Sequence, residues 1–374
     1  MSTGWWRLPG PARYVQSVAA AALDGTSVVL SVPAFTPGSL ESALRHALDH
    51  DGRQWLSITV PADSPLSPGG FLQSLFGGEG PPDLLPTARN LARLPGFAGR
   101  ILWLEGVSSA CWPAWRSFLT AYAEAVRADD EWHRTIFVVP FEGEPDPAIT
   151  EDVTLDCTAY RNAASPTDMI LYVAEGLRRA GLPPLHGALA GAVIRRVAAW
   201  DPLAADMLIA DPPATLADPI APMHQLAKDR GWTAATPVTW AAGTVQELAG
   251  VPVVHSALVA ARADLGELNR RQWSAQVEVL FPLLEQRRQQ LIGILEPDLI
   301  IPFTTRFGTI HDRADLELGH LEAQVVFHRI PSPPGLAHQL QVLREIRNTL
   351  SHLRPLRAEL LLGSALTAAL AGLW

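Results

Sequence analysis

Lysine is nearly missing from this chain. Lys228 is the only one among 29 lysines and arginines, so chemistry that needs a lysine ammonium has one place to draw it from. Cysteine is almost as scarce, with Cys111 and Cys157 the only two. They lie far apart and match no metal-ligand spacing, which argues against a disulfide framework and fits a reducing cytoplasm. Long apolar runs are missing too. The uncharged end, Leu360 to Trp374, falls short of the ~20 residues that span a bilayer. Gly363, Ser364 and Gly372 interrupt it, so a buried terminal helix is expected and no membrane contact. Nor is a secretory signal read at the start, where Trp5, Trp6 and Arg7 precede Pro9 and Pro11 without an apolar segment.

What is present describes an ordered globular protein. Of 374 residues, 48% are hydrophobic and 18% charged, enough for two or three domains with buried cores. The formal net charge of -9 argues against broad nonspecific binding to nucleic acid. That acidity is uneven. From Gly266 onward arginines and carboxylates balance, so the surplus acid sits in the first two-thirds and leaves room for a local basic cleft near the end. Arginine in place of lysine, with much alanine, proline and glycine, reads as the product of a GC-rich bacterial genome.

The first part of the chain alternates helices and strands. Helices are expected over Arg13–Leu23, Ser39–Leu48 and Trp112–Arg127. Strands are expected over Ser27–Val32, Trp55–Val60, Ile101–Leu104, Thr135–Val139 and Val153–Thr158. Strands separated by helices imply crossover connections and a mostly parallel sheet covered on both faces. Residues 61 to 87, rich in Pro, Gly and Ser, read as a long surface loop. From Ser165 strand signals thin out. Helices over Met169–Arg179, Ala188–Trp200, Ala204–Ile209 and Met223–Asp229, with a short strand at Val251–Val254, form a helical annex. A long helix over Asn269–Leu295, which Pro282 should kink or split, opens a C-terminal helical domain. The expected division is 1–164, 165–262 and 263–374.

The densest pattern lies near the end. Leu336, Leu340, Leu343, Ile346 and Leu350 form the stripe of a helix packed on a core. At about 100° per residue, Asn348 and His352 share the polar side with Gln341, Arg344 and Glu345. Arg347 projects into the stripe, where a guanidinium must find a partner or a cleft. Pro355 ends the helix, leaving His352 in its last turn. The run Arg347-Asn348-x-x-x-His352 resembles the motif of the HEPN superfamily, helical domains of prokaryotic defence and toxin systems. That resemblance implies an all-α domain in which Arg347 and His352 are candidate catalytic residues for metal-free RNA cleavage, with Asn348 orienting them. In such domains the cleft is usually shared by two protomers, and many members bind RNA or protein without cutting. Arg347 and His352 point about 140° apart on an ideal helix, so cleavage requires a distorted last turn or a second chain.

The sheet domain resembles P-loop NTPases, particularly the AAA and STAND branches with a helical lid. A phosphate loop belongs after the first strand, where Gly-x4-Gly-Lys-Ser/Thr is needed. Here that place reads Pro33-Ala34-Phe35-Thr36-Pro37-Gly38-Ser39-Leu40. Only Gly38 matches; Ser39 stands at the lysine position and Leu40 at the Mg²⁺-binding hydroxyl. The third strand ends in Leu104-Glu105 without the preceding Asp that would hold Mg²⁺. A degenerate core that neither binds nor hydrolyses ATP is expected, with no cofactor and no metal. His46 and His50 lie at i and i+4 but lack a third ligand, and read as a solvated helix end. No Gly-x-Ser-x-Gly elbow occurs. Asp312, Glu317 and Glu322 near His311 and His320 share no single face and read as an exposed segment entering a helix. The tryptophans, Trp5-Trp6 and Trp112/Trp115 foremost, read as packing anchors or partner contacts.

Together these readings give an α/β chain: a parallel-sheet P-loop-like core with a helical lid, followed by an all-α HEPN-like domain. They imply a non-hydrolysing STAND-like scaffold or sensor of a bacterial conflict or phage-defence system, in the cytoplasm. The alternative is a metal-independent endoribonuclease. The partners implied are a protein effector encoded nearby, RNA, and a second copy of the chain docked through its C-terminal helices.

Overall fold

The computed structural model describes residues 2–49, 52–61, 66–77, 85–130, 133–145, 154–306 and 308–373. They fold into two compact units. The first comprises Met1–Asp168 with Pro237–Val254, and the second Met169–Thr236 with His255–Trp374. The chain therefore leaves the first unit and returns to it, a discontinuity absent from the sequential division at 164 and 262.

The first unit holds helices α1 (Pro9–Leu23), α2 (Leu40–Ala47), α3 (Pro68–Phe76), α4 (Ala88–Ala92) and α5 (Trp112–Val126). Its strands are β1 (Ser27–Val32), β2 (Gln54–Thr59), β3 (Arg100–Glu105), β4 (Ile136–Glu142) and β5 (Leu155–Ala159). All five form one parallel sheet in the order β2-β3-β4-β1-β5. β1 is buried at every residue, as a central strand covered on both faces must be. Val29, Leu102, Leu104, Phe137 and Val139 join a core with Leu72, Phe97, Trp115 and Tyr122, supplied by α3, α5 and the turn after α4. The antiparallel hairpin β6 (Val245–Leu248) and β7 (Val251–Val254) completes the unit. Its first strand was not read from the sequence.

One expectation changes here, and one unassigned stretch is filled. The loop expected over 61–87 contains α3, with residues 62–65 and 78–84 lying outside the described ones. Ser67 caps α3 by accepting the Gly70 N–H at 3.2 Å, and Pro68 occupies the first turn. These are start signals that a Pro/Gly-rich composition conceals. The start of the chain, before the helix expected from Arg13, is also helical. Ser2–Arg7 is a 3-10 helix, and its Trp5 and Trp6 are packing anchors, 0% and 5% exposed. Trp5 Nε1 donates to the Tyr160 hydroxyl at 3.0 Å.

The second unit contains α6 (Pro166–Leu177, which begins at the end of the first unit), α7 (Pro184–Ala198), α8 (Pro202–Ile209), α9 (Pro212–Ala217), α10 (Ile220–Asp229) and α11 (Ser256–Ala261). It continues with α12 (Leu265–Leu295), hairpin strands β8 (Phe303–Thr305) and β9 (Gly308–Ile310), α13 (Leu318–Val326), α14 (Leu336–Ser351), α15 (Ala358–Leu362) and α16 (Ser364–Ala369). α7 is buried almost all round, the property of a central helix, and packs against α12. α12 runs unbroken for 31 residues with Pro282 inside. Of the kink or split expected at Pro282, the split does not occur, and Leu280, Leu283 and Leu284 are buried on either side of the proline. The terminal apolar run is two short helices rather than one. They meet at Gly363, where a Cβ would lie 2.5 Å from the Glu359 carbonyl oxygen. No described helix is long and apolar enough to cross a membrane.

Three helix ends of this unit converge on Asp201. Its Oδ1 accepts the Leu203 N–H at 2.9 Å and caps α8. Its Oδ2 meets Arg230, at the end of α10, at 2.7 Å and His255, which caps α11, at 3.0 Å. His255 Nδ1 accepts the Ala257 N–H at 3.1 Å, so the ring proton sits on Nε2 and is donated to Asp201. Burial alone would raise the Asp201 carboxyl, but the His255 hydrogen bond and the Arg230 charge hold it below its ordinary value. Burial also depresses His255, which the Asp201 contact only partly opposes. The folded chain thus binds a proton at His255 more weakly than the unfolded chain. Its stability contribution is complete above the unfolded value near ~6.5 and is lost as pH falls through the lower folded value. Melting scans should show Tm falling below pH ~6.5, well above the carboxylate range, and a flatter profile for His255→Gln. Asp201→Ala, which strands a buried guanidinium, should cost about 3–5 kcal/mol in denaturant unfolding.

Candidate functional site

The loop after β1 is the first place to look, because ligands of open α/β sheets bind outside the carboxyl ends of the strands. It joins β1 to α2 as expected, yet the chain itself fills it. The Ala34 N–H donates to the Ala241 carbonyl at 2.8 Å. Trp6 Nε1 donates to the Gly38 carbonyl at 2.8 Å, and the Thr36 hydroxyl to the Pro33 carbonyl at 2.6 Å. Gly243 has a left-handed φ of 69°, and a Cβ there would lie 2.4 Å from the Ala34 oxygen. Only glycine permits so close an approach. An anion cradle needs several free, converging N–H groups. Pro33 and Pro37 have none, and that of Ala34 is taken. The residues do not fit a nucleotide phosphate with its Mg²⁺.

The second place is α14. Leu336, Leu340, Leu343, Ile346 and Leu350 are all buried, as the stripe requires. α12 fixes the far end of the helix: Trp273 Nε1 donates to the Leu350 carbonyl at 2.7 Å, and Gln276 Oε1 accepts the Leu356 N–H at 2.7 Å. Arg344, Arg347 and Asn348 share the face turned to α13. There Arg347 lies 2.7 Å from Glu317 and Arg344 lies 2.8 Å from Glu322. These two pairs show the helices running antiparallel. Arg344, Arg347, Asn348 and Glu317, with Phe303 and His320, line a cavity of about 500 Å³. Gln324 positions the segment before Phe303, its Oε1 accepting the Ile300 N–H at 2.8 Å.

His320 is the residue the sequence reading missed. It was placed in an exposed segment with Glu317 and Glu322, but α13 turns His320 into the cavity and buries Glu322 against α14. The spacing of Glu317 and His320 as a capping pair was the available signal. The Glu317 backbone N–H donates to His320 Nδ1 at 3.1 Å, fixing the ring and leaving its proton on Nε2. Burial lowers the affinity of the ring for a second proton; Glu317 opposes this and the Arg347 charge adds to it.

Of the three motif residues, Arg347 and Asn348 line the cavity and His352 does not. His352 is the C-cap of α14, one position past its last residue, and is exposed. Beyond it the chain closes a Schellman turn. The Arg354 N–H bonds the Thr349 carbonyl at 3.3 Å and the Leu353 N–H the Leu350 carbonyl at 3.1 Å. Leu353 holds the left-handed position, φ 59°, where glycine is favoured. Elsewhere His46 is exposed at the end of α2 and His50 lies outside the described residues. No group of three or more His, Cys, Asp or Glu suited to a metal occurs among the described residues.

No family model, no curated protein and no solved structure matches this chain. The site must therefore be read from its own geometry. Relieving the left-handed leucine is a direct check of the turn that ends α14. Leu353→Gly, at an exposed position, should stabilise the chain by up to about 1 kcal/mol in chemical denaturation.

Proposed function

We propose that the chain is a non-hydrolysing scaffold or sensor protein of a bacterial conflict or phage-defence system. Its first unit is a STAND-like, degenerate P-loop core, and the end of its second unit is a HEPN-like helical domain that binds without cutting. The observation that carries this reading is the closure of the loop after β1 by Trp6 and the 241–243 segment. That closure adds to the lost lysine and hydroxyl a steric reason why a triphosphate has no seat. The fold class supports it in outline, through a five-stranded parallel sheet followed by helices.

The nuclease alternative receives less support. A metal-independent cleavage would use His352 as acid or base on the ribose hydroxyl or leaving oxygen, with Arg347 stabilising the phosphate. His352 is outside the cavity that Arg347 lines, so this chemistry requires a second chain to supply it. Purified protein incubated with Mg²⁺ and ATP should show no turnover, and incubated with mixed RNA should leave it intact. ATP turnover lost on mutation of Ser39 or Gly38 contradicts the degenerate core. RNA cleavage lost in His352→Ala contradicts the binding-only domain.

A further inference from the structure

We propose that β2 is the interface of a homodimer, in which two copies pair their β2 strands antiparallel about Ser57 and join their sheets into one. The inference goes beyond the scaffold reading and does not depend on it. It starts from the strand order, where β2 lies at one edge and pairs only with β3. The Val60 N–H, just past β2, donates to the Glu105 carbonyl at 2.7 Å. Backbone groups alternate sides along a strand, so Gln54, Leu56 and Ile58 also turn theirs toward β3. Those of Trp55, Ser57 and Thr59 point outward. On that side none of the three makes a backbone hydrogen bond to a described residue. Ser57 and Thr59 are exposed.

An edge of this kind is a template for another strand, and folded chains ordinarily blunt it with charge, proline or a bulge. β2 reads Gln54-Trp55-Leu56-Ser57-Ile58-Thr59, without charge or proline, and its register with β3 runs uninterrupted. The opposite edge, β5, is blunted. There the Tyr160 N–H donates to the Ser31 carbonyl at 2.8 Å, which turns Cys157 outward by the same alternation. The Asp156 carboxylate then accepts the Cys157 N–H at 2.7 Å. On β2 the polar side chains are tied back instead. Trp55 Nε1, at 3.3 Å, and the Ser57 hydroxyl both donate to Glu41 Oε1 of α2, and neither caps the edge.

Symmetry selects the occupant. A two-fold axis normal to the sheet at Ser57 sets Ser57 against itself, Trp55 against Thr59 and Leu56 against Ile58. Every outward residue of each copy then falls at a hydrogen-bonded pair and exchanges both its N–H···O bonds. The opposed side chains are an aromatic with a β-branched residue, two hydroxyls, and two aliphatics, which are pairs that stabilise antiparallel strands. An axis at Leu56 would oppose Trp55 to Ser57 and leave Thr59 beyond the end of the partner strand. Because β2 is uncharged, two copies of a chain with net charge -9 meet along it without opposing like charges within the strand pair.

Sedimentation of the whole chain up to about 0.5 mM tests this, since a contact one strand wide belongs with small, transient interfaces. A reversible monomer–dimer equilibrium is expected. Ser57→Pro removes an outward N–H that the β2–β3 ladder does not use. Confirmed folded by circular dichroism, it should weaken the dimer at least about tenfold. Cysteine substitution locates the axis independently. Ser57→Cys sets two thiols on Cα atoms about 5.5 Å apart, within disulfide reach. Thr59→Cys leaves its two at least about 13 Å apart along the strands. Under mild oxidation, with the unaltered chain as baseline, Ser57→Cys should give a covalent dimer and Thr59→Cys should not. A chain that stays monomeric throughout overturns the proposal. So does equal cross-linking at both positions. A dimer undiminished in folded Ser57→Pro, the result of docking through the C-terminal helices, overturns it too. If Ser57→Pro does not fold, the cysteine pair decides.

Discussion

One buried carboxylate fastens the second unit. Asp201 caps α8, meets the Arg230 guanidinium at the end of α10, and accepts the ring N–H of His255 at the start of α11. A lone ion in this environment would cost several kcal/mol, so the three helix ends must arrive together or not at all. The next residue passes the constraint on. Ser256 donates to the Val197 carbonyl at the end of α7 and accepts from Arg271 of α12. From α12, Trp273 and Gln276 reach the last turn of α14 and the chain just beyond it. The geometry of the Arg344–Arg347 face is thus anchored through polar contacts that begin far away in sequence.

The first unit is closed by its own chain in a comparable way. Residues 237–254 return to it, and the close passage of Gly243 by Ala34 puts backbone where a bound phosphate would need donors. Arg161 lies over the Trp240 ring, 4.9 Å from its centroid, and helps hold the returning segment. The two candidate sites therefore differ in kind. At the loop after β1, Pro33 and Pro37 carry no N–H and that of Ala34 is used by Ala241. At the α13–α14 cleft two guanidinia are each paired with a carboxylate, and the His320 ring faces the cavity beside them.

Much of the fold was legible because it depends on local pattern. The five strands of the sheet stood out as short apolar runs between turns, and the α14 stripe emerged from its spacing in all but the buried Val342. Proline at the start of α7, α8 and α9 marks their first turns. The features that escaped depend on partners distant in sequence. Asp201 stands at a helix start, but nothing local points to Arg230 or His255. α3 was hidden because its start signals lie in a Pro/Gly-rich stretch. Of the motif residues, Arg347 and Asn348 face a cavity, but the histidine there is His320, whose role arises only when α13 packs on α14. His352 was visible because it matched a spacing, and the helix ends before bringing it to the cleft.

The central claim is that the chain itself closes the loop after β1 and leaves a triphosphate no seat there. Hydrogen exchange of the whole chain with and without millimolar ATP and Mg²⁺ tests it most directly. The account predicts that exchange across residues 33–40 is unchanged. Slowed exchange at 33–40 would contradict it.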